Sequence, residues 1–143
     1  MSTTYLPAGL PAPSSGPDGL AEPYWEGTRQ NKLRIQKCQG CGAWQWGPEW
    51  CCHRCHSFDM AWEEITGEGV IYSYERPHHP VHGALVGHGP YIIVLVELPA
   101  YGNVRMVGNL LGDPLQKVAI GAAVRAVFEP HEGYTLVQWK LKA

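Results

Sequence analysis

A mainly β chain, with a short N-terminal helix and a small metal-binding ribbon ahead of a five-stranded barrel, is what two patterns in this sequence predict. The first is Cys38, Cys41, Cys52 and Cys55 in C-x2-C-x10-C-x2-C, two thiolate pairs on two tight turns that together make the tetrahedral four-sulfur cage suited to Zn²⁺. The second is the run of strand-like segments beyond Cys55, three in succession, then a short helical turn, then two more. That order belongs to an OB barrel. Together they specify a rubredoxin-like zinc ribbon followed by a five-stranded OB-fold domain.

Length and composition bound what such a chain can be. With 143 residues, 45% of them hydrophobic, there is room for one ordinary core, or for a small metal module joined to one. The longest aliphatic run, Ile92–Val96, stops at Glu97 and Pro99, far short of the ~20 residues of a membrane helix. The first residues, Met-Ser-Thr-Thr-Tyr, have neither the basic region nor the apolar core of a signal peptide, and five cysteines is an odd number for a disulfide framework. A soluble, cytoplasmic chain with bound metal is expected, without a membrane partner. Net charge is −2, and loading a divalent ion on four thiolates takes it to about −4, so nothing calls for a polyanion partner.

Residues 1–22 hold Pro7, Pro11, Pro13 and Pro17 with almost no apolar periodicity, and read as a flexible or surface-draped arm. The ribbon region, 23–62, opens on Pro23-Tyr24-Trp25-Glu26-Gly27, a short helix with proline near its start. Leu33–Lys37 alternates like a strand entering the first knuckle. There Gly40 and Gly42 permit positive φ and close approach of amides to sulfur. The second knuckle, Cys52-His53-Arg54-Cys55, lacks glycine and follows Cys51, which offers a competing C-x3-C spacing; Cys52 is the expected ligand and Cys51 is left free. Four cysteine ligands leave no position for water or substrate, so the metal is structural, with iron as the minor alternative to zinc. Trp44, Trp46 and Trp50 crowd the span between the knuckles; they cover the knuckle or face a partner.

The barrel region, 63–143, carries strands expected at Glu68–Arg76, Tyr91–Leu98, Val104–Leu110, Ala122–Glu129 and Tyr134–Leu141. Val70, Tyr72 and Tyr74 alternate with Ile71, Ser73 and Glu75, the period of two of a half-buried strand. Asp113-Pro114 is expected to start a helical turn through Leu115–Ala119 that Ile120-Gly121 ends.

Chemistry is sparse. The sequence contains no G-x-S-x-G, G-x-x-x-x-G-K or G-x-G-x-x-G, and no catalytic residue is assigned. The connection after the first barrel strand holds Arg76, His78, His79, His82 and His88. Its histidines are open to a second metal, to titration or to acyl contact, against the plainer reading of a solvated loop.

A ribbon with Lys-Cys-x-x-Cys-Gly after Tyr24-Trp25-Glu26-Gly27, then Gly67-Glu68-Gly69-Val70, Pro90-Tyr91 to Leu98 and Ile120-Gly121, resembles the zinc-ribbon and OB-fold acyl-CoA-associated family, formerly a domain of unknown function. The likeness runs from about Tyr24 to Leu141, and departs from it at Cys51-Cys52-His53, where the family usually has Cys-Pro. The resemblance implies a non-catalytic partner subunit in a hetero-oligomer with a thiolase-like enzyme, of the lipid-transfer-protein type that cleaves steroid side-chain CoA thioesters. It further implies contact with that partner or with CoA through Tyr24, Trp25, Arg29, Arg34, Trp44, Trp46, Arg76, His78 and His79. Two other classes compete: a single-strand nucleic-acid module, which eleven Lys and Arg against thirteen acids argues against, and a rubredoxin-like electron carrier.

Overall fold

The computed structural model describes residues 4–142; the first three residues of the arm and Ala143 lie outside that range. Helix α1 spans Glu22–Arg29, with Pro23 in its first turn, Glu22 at the positive end and Arg29 at the negative end of its dipole. Asn31, at φ 58°, ends it. Gly27 allows the chain to double back, because a Cβ there would stand 3.0 Å from the Lys32 carbonyl oxygen.

Strand β1 (Leu33–Cys38) follows directly and pairs antiparallel on both sides, with β2 (Trp44–Gln45) and with β3 (Met60–Ile65). No local pattern predicts β3. Met-Ala-Trp-Glu-Glu-Ile has adjacent glutamates and no clean alternation, yet it pairs with β1 from Leu33↔Ile65 to Cys38↔Met60. Pairing with an established strand overrode weak local signal.

The barrel is built from β4 (Glu68–Glu75), β5 (Ile93–Leu98), β6 (Val104–Asn109), β7 (Ala123–His131) and β8 (Tyr134–Leu141), in the antiparallel order β6-β5-β4-β7-β8. These ends fall within two residues of the expected ones. A parallel bridge between Leu110 and Trp139 joins β6 to β8 and nearly closes the sheet. Curvature comes from a bulge between Ile71 and Ser73, which lets β4 pair with β7 at one end and β5 along its length. At Gly69 a Cβ would meet the Glu97 carbonyl oxygen at 2.6 Å, so β4 can lie that close only with glycine.

The helical turn expected at Leu115–Ala119 does not form; the chain turns at 114–115, bends at Gln116 and has no regular structure over 117–119. The Arg76 guanidinium donates from Nε to the Pro114 carbonyl at 2.8 Å and from Nη2 to that of Gln116. Those carbonyls are the acceptors a continuing helix would use, so the side chain just past the end of β4 replaces helix bonds with its own.

The arm lies along the barrel. The Tyr5 amide donates to Glu129 Oε2 at 3.1 Å, and its hydroxyl accepts from the Ile92 amide at 3.0 Å. Leu6, Pro7 and Leu10 roof a cavity of about 460 Å³ over Tyr134, Leu136 and Gln138. Leu33 and Ile35 of β1 and Ile65 of β3 join Val94, Val96, Leu98, Met106 and Trp139 in a single core. The knuckle end has its own small cluster, Cys38, Ala43 and Cys52 with Met60 against it.

Candidate metal centre

Cys38 ends β1, and its backbone fixes the first knuckle: its amide donates to the Ala43 carbonyl at 2.8 Å, while its carbonyl accepts from the Gly42 amide at 2.9 Å. The second knuckle repeats this arrangement. The Cys52 amide donates to Ser57 O at 2.8 Å, and Cys52 O accepts from the His56 amide at 3.0 Å. The fourth residue after each leading cysteine takes the left-handed conformation, Gly42 at φ 77° and His56 at φ 62°. Cys52 is thus the counterpart of Cys38. The missing glycine is met by histidine, a residue that tolerates this region better than β-branched ones.

The four sulfurs of Cys38, Cys41, Cys52 and Cys55 lie within 4.8 Å of one another, with Cys38–Cys55 and Cys41–Cys52 each at 3.6 Å. Bonds of about 2.3 Å to a central tetrahedral ion imply sulfur separations of roughly 3.8 Å, so the cage fits. Cys51, half-buried, is outside this group. Backbone amides serve the sulfurs: Cys41 N–H reaches Cys38 Sγ at 3.4 Å and Arg54 N–H reaches Cys52 Sγ at 3.3 Å.

Electrostatics point the same way. The Cys55 amide, with help from Arg54, holds the Cys52 thiol down to about 6 against the opposing pull of burial. Cys38 is likewise lowered, first by the Cys41 amide. The Ser57 amide also draws Cys55 down, but Cys38, burial and the remaining two sulfurs together push it up to about 11. Four thiolates this close repel, and a divalent cation at their centre relieves that repulsion.

The remaining expected site residues are dispersed. Tyr24 is buried, its ring edge-on to Trp25 at 4.9 Å and tilted on Trp46 at 4.6 Å. Trp44 stands edge-on to Tyr101 at 5.0 Å with the Lys37 ammonium over it. All three tryptophans pack partly buried against the main core. Arg29 is exposed and 3.5 Å from Glu22, Arg34 packs toward Gly27, and Arg76 is spent on the 114–116 carbonyls. His78 and His79 are exposed, and His82 accepts from the Ala84 amide at 3.1 Å. Among the described residues, the four cysteines form the group that can hold a metal; the loop histidines do not. Sequence reading passed over Gln36 and Gln45, buried polar residues on β1 and β2. No motif marks either one: Gln36 sits beside Lys37, and Gln45 lies between Trp44 and Trp46.

Ribbon and barrel, one with a four-sulfur cage and the other a nearly closed antiparallel sheet, define a two-part zinc-ribbon and OB-fold protein. The chain belongs to the ChsH2 family. Residues 25–61 match the rubredoxin-like zinc ribbon domain of ChsH2 and residues 62–129 its C-terminal OB-fold domain. In structure it is similar to a chain of the Ltp2-ChsH2(DUF35) aldolase, at 34% identity and TM-score 0.76, covering 92% of this chain and 98% of that one. A DUF35-family protein of unknown function from Sulfolobus solfataricus, 23% identical with TM-score 0.61 over 89% of this chain and 87% of that one, shares the fold. Among curated proteins, a probable enoyl-CoA hydratase alpha subunit of Thermomonospora curvata is 40% identical over 71% of this chain. The 3-oxo-4,17-pregnadiene-20-carboxyl-CoA hydratase alpha subunit of Mycobacterium tuberculosis is 30% identical over 95% of it. The chain spans 30% and 46% of the lengths of these two relatives. No helix among the described residues is long and apolar enough to cross a membrane.

Proposed function

We propose that this chain is the non-catalytic partner subunit of a thiolase-fold, lipid-transfer-protein-like enzyme that cleaves acyl-CoA thioesters by retro-aldol chemistry in steroid side-chain degradation. Its part is to assemble the complex and complete the CoA or acyl channel, in the cytoplasm. One observation carries this reading: the likeness to a chain of the Ltp2-ChsH2(DUF35) aldolase extends over 98% of that chain, so ribbon and barrel are matched together. The hydratase subunit from Mycobacterium tuberculosis, named for a steroid CoA thioester, supports the substrate class. The absence of a nucleophile motif in the sequence supports a supporting role.

In this proposal Cys38, Cys41, Cys52 and Cys55 hold a structural Zn²⁺ that folds the ribbon and takes no part in the reaction. The arm comprises residues 1–22, the ribbon 23–62 and the barrel 63–143. Trp25, Trp44 and Trp46, each with part of its ring exposed, are the anchors offered to the partner. Tyr24 backs Trp25 and Trp46, and Arg29, Arg34, His78 and His79 supply polar contact. The test is coexpression of the tagged chain with a thiolase-like protein encoded beside it, followed by acyl-CoA cleavage assays on the complex and on each part. A stable complex, active only when assembled, is expected. Cleavage by this chain alone at the rate of the complex overturns the proposal.

A further inference from the structure

Gln36 and Gln45 are 1% and 5% exposed, and both carboxamides reach into the connection that carries the second knuckle. Gln36 Nε2 donates to Glu49 O at 2.9 Å, and its Oε1 accepts from Glu49 N at 3.0 Å. Gln45 Nε2 donates to Cys51 O at 3.2 Å, and its Oε1 accepts from His53 N at 2.9 Å; the same oxygen lies 2.6 Å from His53 Nδ1. The two backbone bonds of Gln45 straddle Cys52.

A planar carboxamide joined to the carbonyl before a residue and the amide after it fixes the peptide planes on both sides. The direction in which Cys52 leaves the backbone is thereby set. Such fixing is needed here because β2 has only two residues and ends at Gln45, so strand pairing does not define the register of 46–51. Chain spacing alone is ambiguous: Cys51 and Cys52 each stand within ligand spacing of Cys55. A slip of one residue would exchange one sulfur for the other.

We infer that Gln45 is the positioning residue that selects Cys52 over Cys51 as a metal ligand, with Gln36 holding the approach to the same turn. The inference rests on the four-cysteine metal reading. It adds a selection that the spacing of the cysteines does not make.

The test uses the full zinc-loaded chain and Gln45→Met, which fills similar volume without donor or acceptor. Iodoacetamide labelling with fragment-ion mapping separates Cys51 from Cys52, and transfer of zinc to a chromogenic chelator gives a release rate. In the wild type, label is confined to Cys51. In Gln45→Met, label spreads over Cys51 and Cys52 and release quickens about tenfold, the scale of losing a group that orients a ligand; adding Cys51→Ser returns Cys52 to protection. Label confined to Cys51 in Gln45→Met, with release within about twofold of wild type, overturns the inference while leaving the metal reading intact. Should Gln45→Met fail to fold, Gln45→Glu keeps the acceptor for His53 N–H and loses the donor to Cys51 O, and partial label at Cys52 is the expected sign; its absence overturns the inference. Label on all four ligand cysteines of zinc-treated wild type overturns the metal reading itself.

Discussion

The indole of Trp139 lies across the backbone of Gly108: a Cβ at 108 would stand 2.7 Å from its Cδ1 and 2.9 Å from its Nε1. Trp139 is fully buried, and the Leu110–Trp139 bridge that closes the barrel is made two residues further along. Gly108→Ala is therefore expected to lose about 2 kcal/mol by overpacking at the seam, lowering Tm by roughly 5 °C. Calorimetry of the two proteins checks this, and an unchanged Tm would mean that the seam yields.

Chelation separates the two ends of the ribbon. Leu33, Ile35 and Ile65 belong to the main core, whereas the knuckle cluster consists of Cys38, Ala43 and Cys52 with Met60. So small a cluster does not hold two loops without a metal. Amide exchange after treatment with a strong chelator is expected to rise over residues 38–58 and to stay slow in the barrel strands. A uniform rise along the chain would show that the metal supports the whole fold.

Tyr5 anchors the arm through groups distant in sequence. Its hydroxyl accepts from the Ile92 amide, in a residue that is fully buried. Tyr5→Phe leaves that N–H without an acceptor, a loss of about 1–2 kcal/mol. Denaturant titration should show it, together with faster exchange at the Ile92 amide.

Arg76→Lys keeps the charge but not the fork. One ammonium cannot reproduce two donors directed at separate carbonyls, so the 113–117 turn loosens. The expected loss is about 1 kcal/mol for this half-exposed side chain. Limited proteolysis should show new cleavage between β6 and β7, and an unchanged pattern would assign the turn's order to Asp113, whose Oδ1 accepts from Leu115 N–H at 2.8 Å.

Much of this was legible in the residues themselves. The cysteine spacing defines two knuckles because each knuckle closes on its own backbone, and period-two alternation marks strands because a strand's two faces meet different surroundings. β3 was not legible, since its strand state comes from the β1 partner beside it. The helical turn expected through Leu115–Ala119 is not formed, because the Pro114 and Gln116 carbonyls are claimed by Arg76, 38 and 40 residues away.

By itself the sequence determined the two-part architecture, the two cysteine knuckles and the succession of five barrel strands along the chain, because these follow from covalent spacing and local periodicity. Only the tertiary structure decided the seam at Leu110 and Trp139, the placement of Tyr5 against Ile92 and Glu129, and the straddling of Cys52 by Gln45. The first two join segments far apart in the chain, and the third joins residues only 6 and 8 apart across a turn that no strand or helix period spans. No pattern within either segment records which partner folding will bring against it.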